Sequence, residues 1–354
     1  MTDADPRLSD SLDHLTRRLG VPGAGAGIIA AGRAPILDVA GRRRRDRPDP
    51  VQAGDRWHIG SCCKAVTALL YARLVEQGRA EWDLPVAALF PDLAATVHAG
   101  WAERSVSEVF HCRAGVPADL TGAGMRAAWQ DRAPLAQQRS AIAARTLARP
   151  PGPRGRFLYS NLGYILIGAA IDRIVATGGA DYESALATDV LHPLGITSHG
   201  FGPPPENLGH HCRFRVASLI LGRGAPADPA IAESDNPPVM NPAGRLHLSL
   251  ADWIRLQTVF LDQPTQFLSR TTMDRLLAPP TGRGPPMAMG WVHARIGGRP
   301  VLAMQGSNTL WAATAVMDAA RSCMAVIIAN DGRSRVLSAD ARLASRLIAE
   351  AIGG

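Results

Sequence analysis

Ser61 and Lys64 stand three positions apart in the segment Ile59-Gly60-Ser61-Cys62-Cys63-Lys64-Ala65-Val66. On a helix, residues at that spacing share a face, so the amine can reach the hydroxyl. A hydroxyl beside a base is the pairing that nucleophilic catalysis requires. Lys64 is also the single lysine among 38 cationic side chains; every other one is arginine. Arginine stays protonated at any accessible pH, whereas a lysine can be desolvated into an amine that takes a proton. A chain that keeps its one lysine beside a serine therefore points to a general base. With 18 serines in 354 residues, the spacing alone arises by chance about one time in twenty, and the assignment needs partners.

Two further segments offer them. Tyr159-Ser160-Asn161 follows the Pro/Gly-rich stretch 149–153. A tyrosine hydroxyl near a lysine can pass a proton to a leaving group, and an amide two residues on can clamp a carbonyl. Taken without partners, Asn161 is a helix N-cap and Tyr159 a packed aromatic. Met304-Gln305-Gly306-Ser307 falls at the end of an expected strand. There the Ser307 N–H can stand beside the Ser61 N–H as a second oxyanion donor. Cys62 and Cys63 are competing nucleophiles, but the helix that would carry them holds no histidine to activate a thiol.

The elements that must position these residues follow from periodicity. Apolar residues recur at helical spacing over 7–19, and two short apolar segments, 23–31 and 34–39, read as a hairpin. A strand end at 57–60 runs into a helix from Ser61 to about residue 77, closed by Gly78. That places Ser61 at a helix N-terminus, where backbone N–H groups and the positive dipole end face its oxygen. Helices are expected at 107–112, 127–147, 161–176, 182–191 and 250–261, strands at 289–296, 300–305, 311–317 and 324–329, and a terminal helix at 334–351. The sheet thus draws strands from both chain ends around a helical middle.

Composition bounds the alternatives. Hydrophobic residues make up 46% and charged residues 19%, which suits a folded chain with a large core. The net charge of +7 comes from dispersed arginines, apart from Arg42-Arg43-Arg44-Arg45, which reads as a solvated hairpin turn. Aromatic residues are 5%, without aromatic–basic interleaving, so nucleic acid is not an expected partner. Cys62, Cys63, Cys112, Cys212 and Cys323 lack metal-ligand spacing and read as reduced thiols, so neither zinc nor a cofactor is expected. The longest apolar run, 164–171, is too short to span a bilayer. The polar start, with no apolar segment behind it, gives the cytoplasm as the expected location if no leader was removed.

Together the three segments resemble, in order and approximate spacing, the serine beta-lactamase and penicillin-binding-protein superfamily, and within it class C beta-lactamase-like enzymes and family VIII esterases. Ser61-x-x-Lys64, Tyr159-x-Asn161 and the strand-borne Gly306-Ser307 are its motifs. Surrounding phrases agree. Trp57-His58-Ile59-Gly60-Ser61 resembles the strand-into-helix entry, and His111-Cys112-Arg113-Ala114-Gly115-Val116 the family's His-x-x-x-Gly-Leu loop. His192-Pro193-Leu194-Gly195-Ile196 is similar to Pro-Leu-Gly-Met, and Pro242-Ala243-Gly244 to Pro-Ala-Gly-Gly. The landmarks run over roughly residues 8 to 350.

The resemblance implies an α/β (α+β) fold: an antiparallel sheet flanked by helices and built from both chain ends, with an inserted all-helical domain. Residues 1–65 and 241–354 would form the sheet domain, 66–240 the insert, and the cleft between them the active site. In roles carried over from the family, Ser61 is acylated, Lys64 removes or relays its proton, and Tyr159 protonates the leaving group. Asn161 holds the flank of the acyl group, the Ser61 and Ser307 N–H groups form the oxyanion hole, and no cofactor takes part. The third motif departs from the pattern. Met304, followed by Gln305 and Gly306 on the substrate side, replaces the usual Lys, His or Trp. A thioether carries no charge, so a substrate carboxylate loses a partner typically worth about 1.5–3 kcal/mol. Arg333 is a candidate replacement. Beta-lactam hydrolysis and D-alanyl peptide cleavage therefore rank below hydrolysis of a small ester or amide. The alternatives are an acyltransferase served by an acidic carrier protein or coenzyme A ester, and a catalytically silent member of the fold.

Overall fold

The computed structural model describes residues 5–210, 224, 226–231, 234–262 and 267–353. Strands β1 (Gly23–Ala30) and β2 (Ile36–Gly41) form the expected hairpin, and β3 (Arg56–His58) leads towards Ser61. Residues 59–199 contain no strand. Then come β4 (Gly200–Phe201) and β5 (Leu246–Ser249), and near the C-terminus β6 (Val292–Ile296), β7 (Arg299–Ser307), β8 (Ala312–Asp318) and β9 (Cys323–Ala329). Six strands make an antiparallel sheet in the order β2-β1-β9-β8-β7-β6. Its register sets Ala24 opposite Ala329 and Ala30 opposite Cys323, so the first hairpin docks on the last strand.

Strand β9 is buried along its whole length, as an apolar run covered on both faces must be. On one face, Leu8 and Leu12 of helix α1 (Pro6–Asp13) pack with Val336 and Leu347 of the terminal helix Ser334–Gly353, against Ile28, Val316 and Ile327. On the other, Val326, Ile328 and Met304 join a larger core that includes helix α2 (Cys63–Glu76). Helix α2 is buried almost all round, and a helix apolar on every side has no solvent face to present. Lys64 lies within that buried surface.

Three departures have local causes. The single helix expected at 127–147 is two, Gly122–Gln130 and Leu135–Leu147. Pro134 caps the second, and the residue before a proline is pushed out of the helical region. The second sheet, β3-β5-β4, was not expected. It reaches into the stretch expected to be all helical through β4, whose two residues are too short for an alternation pattern to register. Helix Arg270–Leu277, capped by Ser269, was likewise unanticipated.

The arginine run is a compensated surface. Arg43 pairs with Asp55, Arg44 with Asp46, and Arg45 donates to Gly20 O. Cys62, Cys63, Cys112 and Cys323 are buried free thiols, and Cys212 lies outside the described residues. Among the described residues no single helix is long and apolar enough to cross a membrane.

Candidate active site

Ser61 sits in one 3-10 turn, Gly60–Cys62, between β3 and α2. Gly60 adopts φ +52, and a Cβ there would stand 2.4 Å from Ser307 N. From the other side, a Cβ on Gly306 would lie 2.0 Å from Ile59 O and 2.6 Å from Ser61 N. Two glycines therefore let the end of β7 run in backbone contact with the serine turn. The Ser307 nitrogen thus stands against Gly60 and the Ser61 nitrogen against Gly306.

Lys64 is 1% exposed. Its Nζ lies 3.1 Å from Ser61 Oγ, 2.8 Å from Asn161 Oδ1 and 2.7 Å from Ala243 O. Asn161 begins the helix Asn161–Val175 but is not its cap. Ser160 caps it, accepting from Gly163 N at 2.7 Å and donating to Pro117 O at 2.6 Å. That leaves the Asn161 amide free to bridge, with Nδ2 donating to Asp119 Oδ2 at 2.9 Å. This bond fixes which end of the amide faces the lysine. Neither Asp119, which holds the Asn161 amide, nor Ala243 O, which receives the Lys64 amine, was singled out from sequence. Asp119 carries no spacing signal, and a backbone carbonyl carries none at all.

The Tyr159 ring centroid is 4.7 Å from Lys64 Nζ. Tyr159 is 39% exposed, next to the more exposed Leu158. Its hydroxyl makes no hydrogen bond to Ser61 or Lys64; the tyrosine lies over the amine through its ring, on the more exposed side. His111 does not bond to this cluster. Burial first, then the nearby Arg275 and Arg113, lowers its pKa to about 4, which keeps it neutral.

Residues 304–307 divide between the two faces of β7. Met304 lies on the face of Gly306 and is 4% exposed. Gln305 points the other way: its amide donates to Thr314 Oγ1 at 3.1 Å and to Leu337 O at 2.8 Å. Strand alternation allows nothing else once Gly306 faces the serine, so the Gln305 side chain is absent from the cluster. Arg333 does not replace the missing cation either. It bonds to Asp331 Oδ1 at 2.8 Å and Leu19 O at 3.0 Å. The cysteine alternative also fails on geometry. Cys62 Sγ faces Ala313 O and Cys63 Sγ faces Asn241 O, and burial pushes both thiols up, away from the reactive thiolate. A cavity of about 480 Å³ flanks Asn161, lined by Asp119, Leu120, Ile142 and Leu162 among others; Ser61, Lys64 and Tyr159 are not on its wall.

Comparisons with known proteins bear on the family and the fold. The family model described as Beta-lactamase matches residues 8–350. "Penicillin-binding protein 4" of Amycolatopsis lactamdurans is 25% identical over 72% of this chain, and the match spans 63% of that protein. The D-amino acid amidase of Ochrobactrum anthropi SV3, solved with L-phenylalanine, superposes with a TM-score of 0.77 at 21% identity, covering 98% of each chain. The class C beta-lactamase of Rhodobacter sphaeroides superposes with a TM-score of 0.76 at 18% identity, covering 98% of this chain and 100% of that one. These structural likenesses establish a shared fold.

Proposed function

The chain belongs to the beta-lactamase family, and we propose that it is a serine hydrolase that forms an acyl-Ser61 intermediate on a small ester or amide. The observation that carries the reading is the bonding of Lys64. Asn161 Oδ1 and Ala243 O are both acceptors, so together they occupy two N–H groups of the amine. In the neutral form the remaining lone pair is left for the Ser61 hydroxyl, 3.1 Å away. Ser61 gives its proton to Nζ as Oγ bonds to the substrate carbonyl carbon, and the Ser61 and Ser307 N–H groups take the negative oxygen. Tyr159, on the solvent side of the amine, protonates the departing alkoxide or amine and is reprotonated from Lys64. Water then attacks the ester of Ser61 by the same steps in reverse.

The substrate preference follows from charge. The uncharged Met304, at the motif position where the family carries a cation, supports a preference for acyl groups without a carboxylate. The likeness to an amidase supports keeping amides beside esters. Incubation with p-nitrophenyl acetate and butyrate, together with mass analysis after fluorophosphonate treatment, tests the reading. Turnover and an adduct on Ser61, both lost in Ser61→Ala, are expected. Neither activity nor adduct in the wild type would make this a silent member of its fold. Transfer to an added alcohol exceeding hydrolysis would make it an acyltransferase.

A further inference from the structure

Asp235 lies far in sequence from all three motifs and is 5% exposed. Its Oδ2 accepts from His58 Nε2 at 3.0 Å and Arg245 Nε at 3.2 Å; its Oδ1 accepts from Asn308 Nδ2 at 2.9 Å and Asn236 N at 2.8 Å. Burial works against its charge, but His58, Arg245 and Asn308 outweigh it and hold the carboxyl below the usual range.

Three of those partners lead to the site by separate routes. His58 Nδ1 accepts from Gly60 N at 3.0 Å, immediately before Ser61. The ring proton therefore sits on Nε2, where Asp235 receives it. The His58 ring stacks on Trp311 with centroids 5.4 Å apart, which fixes its plane. Asn308 follows Ser307, and its Oδ1 accepts from Leu310 N at 3.1 Å and Trp311 N at 3.3 Å. That leaves the Asn308 amide only one way to face, with Nδ2 towards Asp235. Arg245 Nη1 donates to Asn241 Oδ1 at 2.9 Å, and Asn241 opens the short turn Asn241–Gly244 whose Ala243 O receives Lys64 Nζ. One carboxylate thus tethers the serine turn, the end of β7 and the carbonyl behind the lysine.

We infer that Asp235 is a positioning residue for catalysis, holding the two edges of the oxyanion hole and the Lys64 carbonyl in register through His58, Asn308 and Arg245. The inference rests on the acyl-serine reading above. Its physical basis is the narrow tolerance of the hole, whose donors must lie about 2.7–3.1 Å from the developing oxyanion. Displacement of the reacting groups by about 1 Å costs on the order of 10² in rate.

The test uses Asp235→Asn, His58→Phe, which keeps a ring on Trp311 but no nitrogen, and Asn308→Ala on the half-buried loop. Folding is checked by thermal unfolding, and the active fraction is taken from the endpoint of fluorophosphonate labelling at Ser61. For each variant kcat and KM on p-nitrophenyl acetate are measured, with the Ki of phenylboronic acid, whose tetrahedral serine adduct places an oxygen in the hole. The expected result is kcat per labelled site lower by about 10–100-fold, KM nearly unchanged, and Ki raised by a similar factor. Folded variants with wild-type kcat and Ki overturn the inference, as does activity lost only in proportion to the labelled fraction. Should Asp235→Asn fail to fold, Asn308→Ala decides by the same criteria. A wild type that takes no label at Ser61 overturns the acyl-serine reading itself, and the positioning role with it. Normal labelling with unaffected variants overturns the positioning role alone.

Discussion

Gly306 and Ser61 are in backbone contact: a methyl group added at 306 would stand 2.6 Å from the Ser61 nitrogen. The close approach makes one edge of β7 and the serine turn a single unit. Neither backbone can yield without moving the other, because Gly60 is pressed against Ser307 in the same way.

Gly306→Ala should therefore push the strand off the turn. Inserting a methyl group into so tight a contact is expected to destabilise by about 1–3 kcal/mol in denaturant unfolding. Separating the two donors should lower kcat by about 10²–10³ on a p-nitrophenyl ester, the loss seen when one oxyanion donor is removed. A variant with wild-type kcat would show that the hole is not shared between Ser61 and Ser307.

Lys64→Arg keeps a long nitrogen-bearing side chain and removes the base. The guanidinium does not give up its proton at accessible pH, so kcat should fall by about 10²–10⁴ while the fluorophosphonate endpoint at Ser61 is reached far more slowly. Lys64→Met, which fills the buried space without charge, should be as inactive. Near-normal turnover in either variant would leave Lys64 a purely structural residue.

Tyr159→Phe separates chemistry from stability. The side chain is 39% exposed and its hydroxyl bonds to neither Ser61 nor Lys64, so removing that oxygen should leave the melting temperature almost unchanged. A general acid–base group is nevertheless worth about 10²–10⁴ in rate. The loss should be greatest with a poor leaving group, such as an alkyl ester, and smallest with p-nitrophenolate, which leaves without a proton. A uniform loss across leaving groups would remove the tyrosine from the proton path.

Where the sequence pointed to a proximity that the structure contains, residue type and local spacing carried it. Ser61 and Lys64 are one helical turn apart, which is a local fact, whereas the lack of room for a side chain at Gly306 comes from the approach of the distant serine turn. Legible too were β1, β7, β8 and β9, because their apolar runs are long. What the sequence hid was set by packing between distant segments. Asp119 and Asp235 are single carboxylates without a pattern, and only folding brings one to Asn161 and the other to His58. Gln305 was misread because a strand places neighbours on opposite faces, and the face follows from the register with β8, not from the motif.

Asp340 gives a stability prediction independent of catalysis. It lies on the terminal helix, is fully buried, and neither of its carboxyl oxygens has a hydrogen-bond partner among the described residues. Burial, and to a lesser degree the nearby Asp331, raises its pKa well above the ordinary value. In the unfolded chain the same carboxyl loses its proton near the ordinary value. Between the two, the folded state holds a proton that the unfolded state has released, so stability falls as pH rises, by about 1.4 kcal/mol per pH unit for one group. Below the unfolded value both states are protonated and Asp340 carries no titration cost. Asp340→Asn keeps the shape and abolishes the titration. Urea unfolding should therefore show the variant gaining on the wild type as the pH is raised from about 4 to about 8. The gain should be largest at the alkaline end. A difference between the two proteins that stays constant across that range would mean Asp340 ionises in the folded state as freely as in the unfolded one, and the burial that raises it would have to be relieved by water.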